Sequence, residues 1–291
     1  MSKKNLSPEI PGSGKKFRPF LIVVYSVCIV LTILSIFPFL VMFINATRST
    51  TDIQAKAISF IPGGNLSRNW SIIKNKGMFD AWAGFKNSCI ISFASTFCAV
   101  YFSTLTAYSV VVYDWKFKNA FFTFVLAIMI IPGQVVSIGF YKMVYSVGLT
   151  NNFLPLIIPS IQAPATVFFM RQYMVGALSM EIVQSARIDG AREFRIFNTI
   201  ALPIMKPAIA TQAIFSFVSS WNQLFMPMIL LKDKTKFTMP CMISLLKGDI
   251  YKVEYGSIYL GLSLTVLPLF VIYFALSKYI IAGVALGSVK G

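Results

Sequence analysis

Six long apolar segments limit what this chain can fold into more than any other feature of its sequence. A transmembrane α-helix needs about 20 predominantly apolar residues, and the strands of soluble proteins are too short to explain runs of this length. Only 12% of the 291 residues are charged, which is too few to cover the surface of a soluble protein. The sequence therefore predicts an all-α integral membrane protein with six transmembrane helices, at residues 20–45, 87–112, 119–141, 152–170, 208–231 and 257–281.

The predicted spans contain almost no ionisable side chains. Asp, Glu, Lys and Arg are absent from them until Lys278, near the end of the sixth span. Secondary transporters and pumps usually carry such groups inside the membrane, where they couple transport to an ion. The sequence therefore disfavours a self-contained channel or secondary transporter, which stays open as the alternative. Prolines within the spans, such as Pro132-Gly133 in the third, predict kinks or breaks.

Residue types that carry chemistry are scarce in this chain. It has no histidine, and its four cysteines form no C-x-x-C pair. Catalytic sites that need His, and most catalytic zinc sites, are thereby excluded. The nearest string to a phosphate-binding Walker A loop, at residues 12–16, lacks the first Gly and the final Ser or Thr. We expect no enzymatic activity, no metal site and no cofactor bound by this chain.

The distribution of charge indicates how the chain is oriented and divided. The net charge is +16, and the basic residues lie between the apolar runs, which is typical of membrane flanks rather than of a nucleic-acid surface. A cytoplasmic N-terminus, favoured by the basic tail, places 14 Lys and Arg residues inside and 12 outside, and six spans return the C-terminus to the cytoplasm. The predicted divisions are a basic cytoplasmic tail at 1–18, the first span and an extracytoplasmic loop at 19–84, a membrane-spanning core at 85–281, and a cytoplasmic C-terminal tail at 282–291.

The connection between the fourth and fifth spans is longer than a simple loop needs to be. Residues 179–203 have the pattern of two short amphipathic helices, with Gly190 as the stop between them. The apolar residues at helical spacing are Ile182, Val183 and Ala186 in the first half and Phe194, Phe197 and Ile200 in the second. Two such helices would form a compact projection that suits docking to a partner protein. An amphipathic segment lying on anionic lipid is the alternative.

The same segment carries a spaced motif. Gln184-Ser185-Ala186 is followed after three residues by Gly190, and after nine more by Ile200-x-Leu-Pro. This spacing resembles the Glu-Ala-Ala, Gly and Ile-x-Leu-Pro motif of the permeases of binding-protein-dependent ABC importers. The strings Ala-Arg-Ile-Asp-Gly-Ala at 186–191 and Ser-Ser-Trp-Asn at 219–222 are similar to the carbohydrate branch. The C-terminal segment from Gly283 is similar to the tail of the maltose-type second permease subunit.

The resemblance implies the type I ABC importer permease fold and a subunit that translocates a sugar or oligosaccharide across a bacterial or archaeal plasma (inner) membrane. Residues 179–203, termed the coupling loop, would dock on an ATPase. The implied partners are a second related permease in a heterodimer, two ATP-binding cassette subunits that bind the ATP, an extracytoplasmic sugar-binding protein and membrane lipid. Nucleic acid is not an expected partner. The residues implied in ATPase coupling are Glu181, Gln184, Ser185, Ala186, Arg187, Asp189, Gly190, Arg192, Glu193 and Phe194.

The motif departs from the family pattern at its first two positions. Gln184 and Ser185 stand where the family has Glu and Ala, so an ionic contact with the ATPase becomes at most a neutral hydrogen bond at Gln184. Glu181, one helical turn earlier, could supply a carboxylate on the same side. For the substrate pathway we expect polar and aromatic side chains at Trp221, Asn222 and Gln223.

Overall fold

The computed structural model describes residues 19–75, 79–246 and 253–288, and all regular structure in these ranges is helical. The predicted all-α class is therefore confirmed. The predicted basic tail, with its string at 12–16, lies outside the described residues, as do residues 289–291.

The first apolar segment forms a single helix, α1 (Pro19–Asn45), with Pro38 inside it. A folded cap, residues 46–75, follows and contains α2 (Thr50–Ala55) and α3 (Leu66–Asn75). Helix α2 begins with a capping box, in which Ser49 Oγ accepts from the Asp52 N–H and the Asp52 carboxylate accepts from the Ser49 N–H. Its hydrogen bonds with Ser49 hold the pKa of the Asp52 carboxyl below its usual value.

A buried arginine holds the cap against the end of α1. Arg48 donates to the carbonyl oxygens of Asp52 and Lys56 and to Asn45 Oδ1, at 2.8 to 2.9 Å. The buried Asn69 amide donates in turn to the Arg48 carbonyl at 2.9 Å. Because a buried cation is costly without such partners, these contacts indicate a fixed cap rather than a loose connection.

The remaining described residues form twelve further helices joined by short turns. The helices are α4 (Ala81–Val112), α5 (Lys118–Ile128), α6 (Gly133–Ser146), α7 (Leu154–Ile157), α8 (Pro164–Ala177), α9 (Met180–Ile188), α10 (Glu193–Ile196), α11 (Leu202–Ile204), α12 (Lys206–Trp221), α13 (Phe225–Leu230), α14 (Met239–Leu246) and α15 (Tyr255–Ser288). A π-helical turn, Phe197–Ala201, joins α10 to α11, and 3₁₀ turns lie at Ile158–Ile161 and Lys234–Lys236. Helix α4 is central and packs against α8, α12 and α14.

Length and composition identify between four and six membrane spans in the described ranges. Four helical segments are long and apolar enough to cross a membrane: Leu21–Asn45, Ala81–Val112, Leu154–Ala177 and Tyr255–Ala275. Two bent pairs bring the number to six if each pair is one span. Helices α5 and α6 are bent by 97° around the predicted break at Pro132-Gly133, and Glu193–Ile204 is bent by 81° from α12.

Several predicted boundaries differ from the structure. The fourth span, predicted to end at 170, continues to Ala177 and includes Arg171, whose guanidinium stacks 4.3 Å from the Phe122 ring centroid. The fifth, predicted over 208–231 with Pro227 inside it, is divided: α12 ends at Trp221, and α13 follows after a break. The helix of the sixth span, α15, continues to Ser288 and so includes residues 282–288, whose cytoplasmic location stays a prediction.

Two clusters of buried apolar side chains lie at opposite ends of α4. One surrounds Tyr108 near the C-terminal end of α4 and includes Val183 and Phe197 of the coupling loop. The other surrounds the N-terminal half of α4 and includes Trp221 at the end of α12 and Ile73 of the cap. The coupling loop and the break after Trp221 are therefore held by separate cores.

Candidate functional site

The first half of the coupling loop is a two-turn helix with defined caps at both ends. Ser179 Oγ accepts from the Glu181 N–H at 3.2 Å and starts α9. At the other end Gly190 has φ +77°, and the N–H groups of Gly190 and Ala191 donate to the carbonyls of Arg187 and Ala186, each at 3.0 Å. These two bonds form a Schellman motif, which reverses the chain at the predicted glycine.

The second half begins at Arg192, whose backbone is extended, and continues through α10, the π-helical turn and α11. Helix α10 has only four residues, and a helix of this length needs tertiary contacts to persist. Those contacts come from Ile196 and Phe197, which are both almost fully buried. Phe197 packs edge-to-face against Tyr108 of α4, with ring centroids 5.3 Å apart.

The apolar residues of the coupling loop divide into a buried and an exposed set. Val183 and Ala186 are buried, whereas Ile182, which the helical pattern grouped with them, is 46% exposed. Phe194 was grouped with Phe197 but is 66% exposed, and Ile188 is 86% exposed. Helix α10 turns Glu193 rather than Phe194 towards α4. The loop therefore presents apolar side chains outward, as a docking surface does.

Glu193 is the centre of a polar network that joins three parts of the chain. Its Oε1 accepts from Arg187 Nε at 2.6 Å, and its Oε2 accepts from Tyr113 Oη at 2.7 Å. Longer hydrogen bonds reach Oε2 from Arg187 Nη2 at 3.3 Å and from Tyr108 Oη at 3.4 Å. The Arg187 guanidinium also lies over the Tyr113 ring, 5.6 Å from its centroid.

These contacts favour the charged forms of Glu193 and Arg187 at neutral pH. The hydrogen bond from Arg187 is the main cause of the lowered pKa of Glu193, and the same bond raises the pKa of Arg187. Burial, together with the hydrogen bond to Glu193, raises the pKa of the Tyr113 phenol. Because the pKa of Glu193 is lowered in the folded chain, the stabilisation by its carboxylate is present at neutral pH. It is lost as the pH falls through that lowered pKa.

The residues implied in ATPase coupling are not equivalent in the structure. Arg187 and Glu193 are half-buried and bonded to each other. Ala186 is buried. The others are exposed: Glu181, Gln184, Ser185, Asp189, Gly190, Arg192 and Phe194. A cleft of about 330 Å³ opens beside Glu193 and Phe194, against the end of α4.

Tyr108 and Tyr113 are site residues that the sequence did not point to. They lie 85 and 80 positions before Glu193, and no motif joins them to the coupling loop. Their one sequence signal is their place at the end of the second apolar run, next to the connection that follows it.

The three residues expected along the substrate pathway lie at the opposite core. Trp221 is 1% exposed, donates from Nε1 to the Thr265 carbonyl at 3.1 Å and stacks on Phe217. Its side chain is an interior contact between α12 and α15, and its expected place on the substrate pathway stays a prediction. Asn222 and Gln223 are exposed in the break after α12.

The described part of the chain contains no group of three or more Cys, Asp or Glu side chains placed to hold a metal ion.

Comparison with known proteins identifies the chain's relatives. Residues 99–285 match the family described as binding-protein-dependent transport system inner membrane component. The chain is 33% identical over 261 residues to the arabinooligosaccharides transport system permease protein AraQ of Halalkalibacterium halodurans, covering 89% of this chain and 92% of that protein. It is 30% identical over 269 residues to the lactose transport system permease protein LacG of Rhizobium radiobacter, covering 92% and 96%.

The fold has a solved counterpart as well. A bacterial ABC transporter involved in the import of the acidic polysaccharide alginate has a chain that superposes with a TM-score of 0.76 at 19% identity, covering 93% of this chain and all of that one. At this identity the likeness establishes the architecture, which is that of an ABC importer permease. The family match spans more than half of the sequence, and so the chain belongs to the binding-protein-dependent transport system inner membrane components, as a permease subunit of an ABC transporter rather than an enzyme.

Proposed function

We propose that this chain is the permease subunit of an ABC importer that moves a sugar or oligosaccharide across the inner membrane. The observation that carries the proposal is the coupling loop, whose motif from Gln184 to Pro203 folds as a compact two-helix projection with an exposed apolar and polar face. Two relatives that match almost the whole chain are named for the transport of arabinooligosaccharides and of lactose. Carbohydrate is therefore the substrate class that the relatives support.

Energy for transport comes from partners in this proposal. The coupling loop docks on an ATP-binding cassette subunit, and a dimer of these subunits binds and hydrolyses the ATP. A sugar-binding protein delivers the substrate to the permease on the extracytoplasmic side of the membrane. A second, related permease completes a heterodimer. The exposed carboxylate of Glu181 and the exposed amide of Gln184 supply polar contacts to the ATPase, and Ile188 and Phe194 supply apolar ones.

The mechanism is alternating access between two conformations of the permease pair. Closure of the ATPase dimer moves the coupling loop, and the loop moves α4 and α12, to which it is joined through its buried side chains. The pair then opens outward to the binding protein, and hydrolysis of ATP restores the inward-facing state. Asn222 and Gln223 are the exposed polar side chains nearest the break in α12 and are the proposed sugar contacts of this chain.

The orientation follows from the same assignment. A coupling loop that docks on a cytoplasmic ATPase lies in the cytoplasm, and the N- and C-termini lie there too if the chain crosses the membrane six times. The cap, residues 46–75, then faces the outside.

Co-purification tests the proposal. The tagged chain is isolated in mild detergent, the co-purifying subunits are identified by mass spectrometry, and the complex is reconstituted in liposomes. We expect a second multi-span permease and an ATPase with a Walker A motif, and ATP hydrolysis that rises when the matching sugar-binding protein and its sugar are added. A stable homo-oligomer that transports solute without ATP would contradict the proposal and favour a channel or secondary transporter.

A further inference from the structure

Glu193 shares the coupling loop with the residues assigned to the ATPase interface, but its surroundings differ from theirs. A carboxylate offers about four lone-pair positions to hydrogen-bond donors. Glu193 accepts four hydrogen bonds within this chain, from two nitrogens of Arg187 and from the hydroxyls of Tyr108 and Tyr113. Its acceptor capacity is therefore used internally, and an arginine of a partner would have to displace one of these donors.

Glu181 provides the contrast. Its side chain is exposed and takes part in no hydrogen bond or ion pair with the rest of the described chain. Both residues lie in the first turn of a coupling-loop helix, where the helix dipole favours a carboxylate. The Glu181 carboxylate is thus free to bind a partner, whereas the Glu193 carboxylate is hydrogen-bonded within its own chain.

The donors to Glu193 come from separate elements. Arg187 lies in the last turn of α9, Tyr108 lies in the last turns of α4, and Tyr113 follows α4 directly. Apolar packing also joins these elements, but it is non-directional and permits sliding. Charge-assisted hydrogen bonds have preferred distances and angles and so resist such sliding.

We propose that Glu193 is a positioning residue that clamps α9, α10 and the end of α4 into one rigid body, so that movement of the ATPase reaches the membrane helices. The proposal rests on the proposed function and assigns to Glu193 a role within the chain rather than in the ATPase interface. Rigidity matters at this position because α10 has four residues and the next turn is π-helical. A short, irregular segment of this kind transmits force only when it is braced.

The test compares two chemically identical substitutions in the assembled transporter. Glu193→Gln keeps the shape of the side chain but removes the charge, and it directs an amide N–H₂ at side chains that donate. We expect the number of sugar molecules transported per ATP hydrolysed, termed the transport ratio, to fall about fivefold or more, which corresponds to the lower end of typical coupling free energies. We expect assembly with the ATPase to stay within about twofold of the wild-type value. Glu181→Gln is the contrast for the ATPase interface, for which we expect weaker assembly with the ATPase.

A second variant, Tyr113→Phe, removes one hydroxyl from the network and leaves the coupling loop intact. We expect it to lower the transport ratio in the same direction but by less. The double variant with Glu193→Gln should be no worse than Glu193→Gln alone, because both changes remove one interaction. If Glu193→Gln prevents the chain from folding, Tyr113→Phe decides by itself, and a wild-type ratio in that variant overturns the clamp.

Two further results would overturn the proposal. In the first, Glu193→Gln weakens assembly with the ATPase but keeps the wild-type transport ratio; in the second, Glu193→Gln has wild-type values of both assembly and transport ratio. Failure of the proposed function is seen separately, as a wild-type complex that does not couple ATP hydrolysis to sugar transport. Amide hydrogen exchange of residues 193–196 in the purified wild-type chain and in Glu193→Gln measures the clamp without any transport. We expect faster exchange in the variant, and equal exchange would contradict the clamp.

Discussion

At Gly190 the backbone has φ +77°, the left-handed region in which a β-branched side chain is strained. A Cβ at this position would meet no atom within 4 Å, so the obstacle to substitution is backbone conformation and not crowding. We expect Gly190→Val to distort the Schellman turn at a cost of about 1–2 kcal/mol and to uncouple transport from ATP hydrolysis. Gly190→Asn is the control, because Asn tolerates this region. Unchanged ATPase assembly and sugar uptake in Gly190→Val would refute the role of the turn.

Single residues also mark the limit of what the sequence could predict. Gly190 was predicted because its signal is local: a glycine between two amphipathic stretches, at a fixed distance from Leu202-Pro203. The internal role of Glu193 has no local signal, since Tyr108 and Tyr113 are brought to it by the packing of α4. Long-range partners of this kind become visible only when the helices are in place.

Among the helices, the long apolar ones were predicted well and the breaks less so. Helices α1, α4 and α15 follow from long apolar runs, although Pro38 lies inside α1 and Pro268 inside α15, and the bend between α5 and α6 follows from Pro132-Gly133. The end of α12 at Trp221 and the π-helical turn before α11 are marked less directly, since the nearest prolines, Pro227 and Pro203, lie beyond each of them. Each depends on packing against other helices, which a pattern within one segment does not contain.

The packing of α12 gives a prediction at this scale. Trp221 joins α12 to α15 through its hydrogen bond to the Thr265 carbonyl and joins α12 to α4 through an edge contact with Phe85. We expect Trp221→Ala to leave a cavity and to destabilise the chain by about 3–5 kcal/mol, which appears as a lower thermal unfolding midpoint in detergent. Trp221→Phe keeps most of the apolar volume but loses the hydrogen bond, so its unfolding midpoint should lie between those of Trp221→Ala and wild type. An unchanged midpoint for Trp221→Ala would contradict this account of the core.

The whole molecule has two ends, separated by the length of α4. A helix of 32 residues is about 48 Å long at 1.5 Å per residue, enough to cross a bilayer and project from it. The cap is bonded to the start of α15, where Ser257 Oγ donates to the Asn69 carbonyl. The coupling loop is bonded to the C-terminal end of α4. The cap and the coupling loop therefore face opposite sides of the membrane if α4 crosses it once.

This arrangement predicts which side chains a membrane-impermeant thiol reagent reaches. In a chain whose four native cysteines are replaced by alanine, a single new cysteine is placed at exposed Ser67 of the cap or at exposed Ser185 of the coupling loop. We expect Ser67→Cys to be labelled in intact spheroplasts and Ser185→Cys to be labelled only after the membrane is permeabilised. The opposite pattern would invert the proposed orientation while keeping the two ends apart. Labelling of both sites from outside would place the cap and the coupling loop on one side, and an ATPase in the cytoplasm could then not drive this permease through residues 179–203.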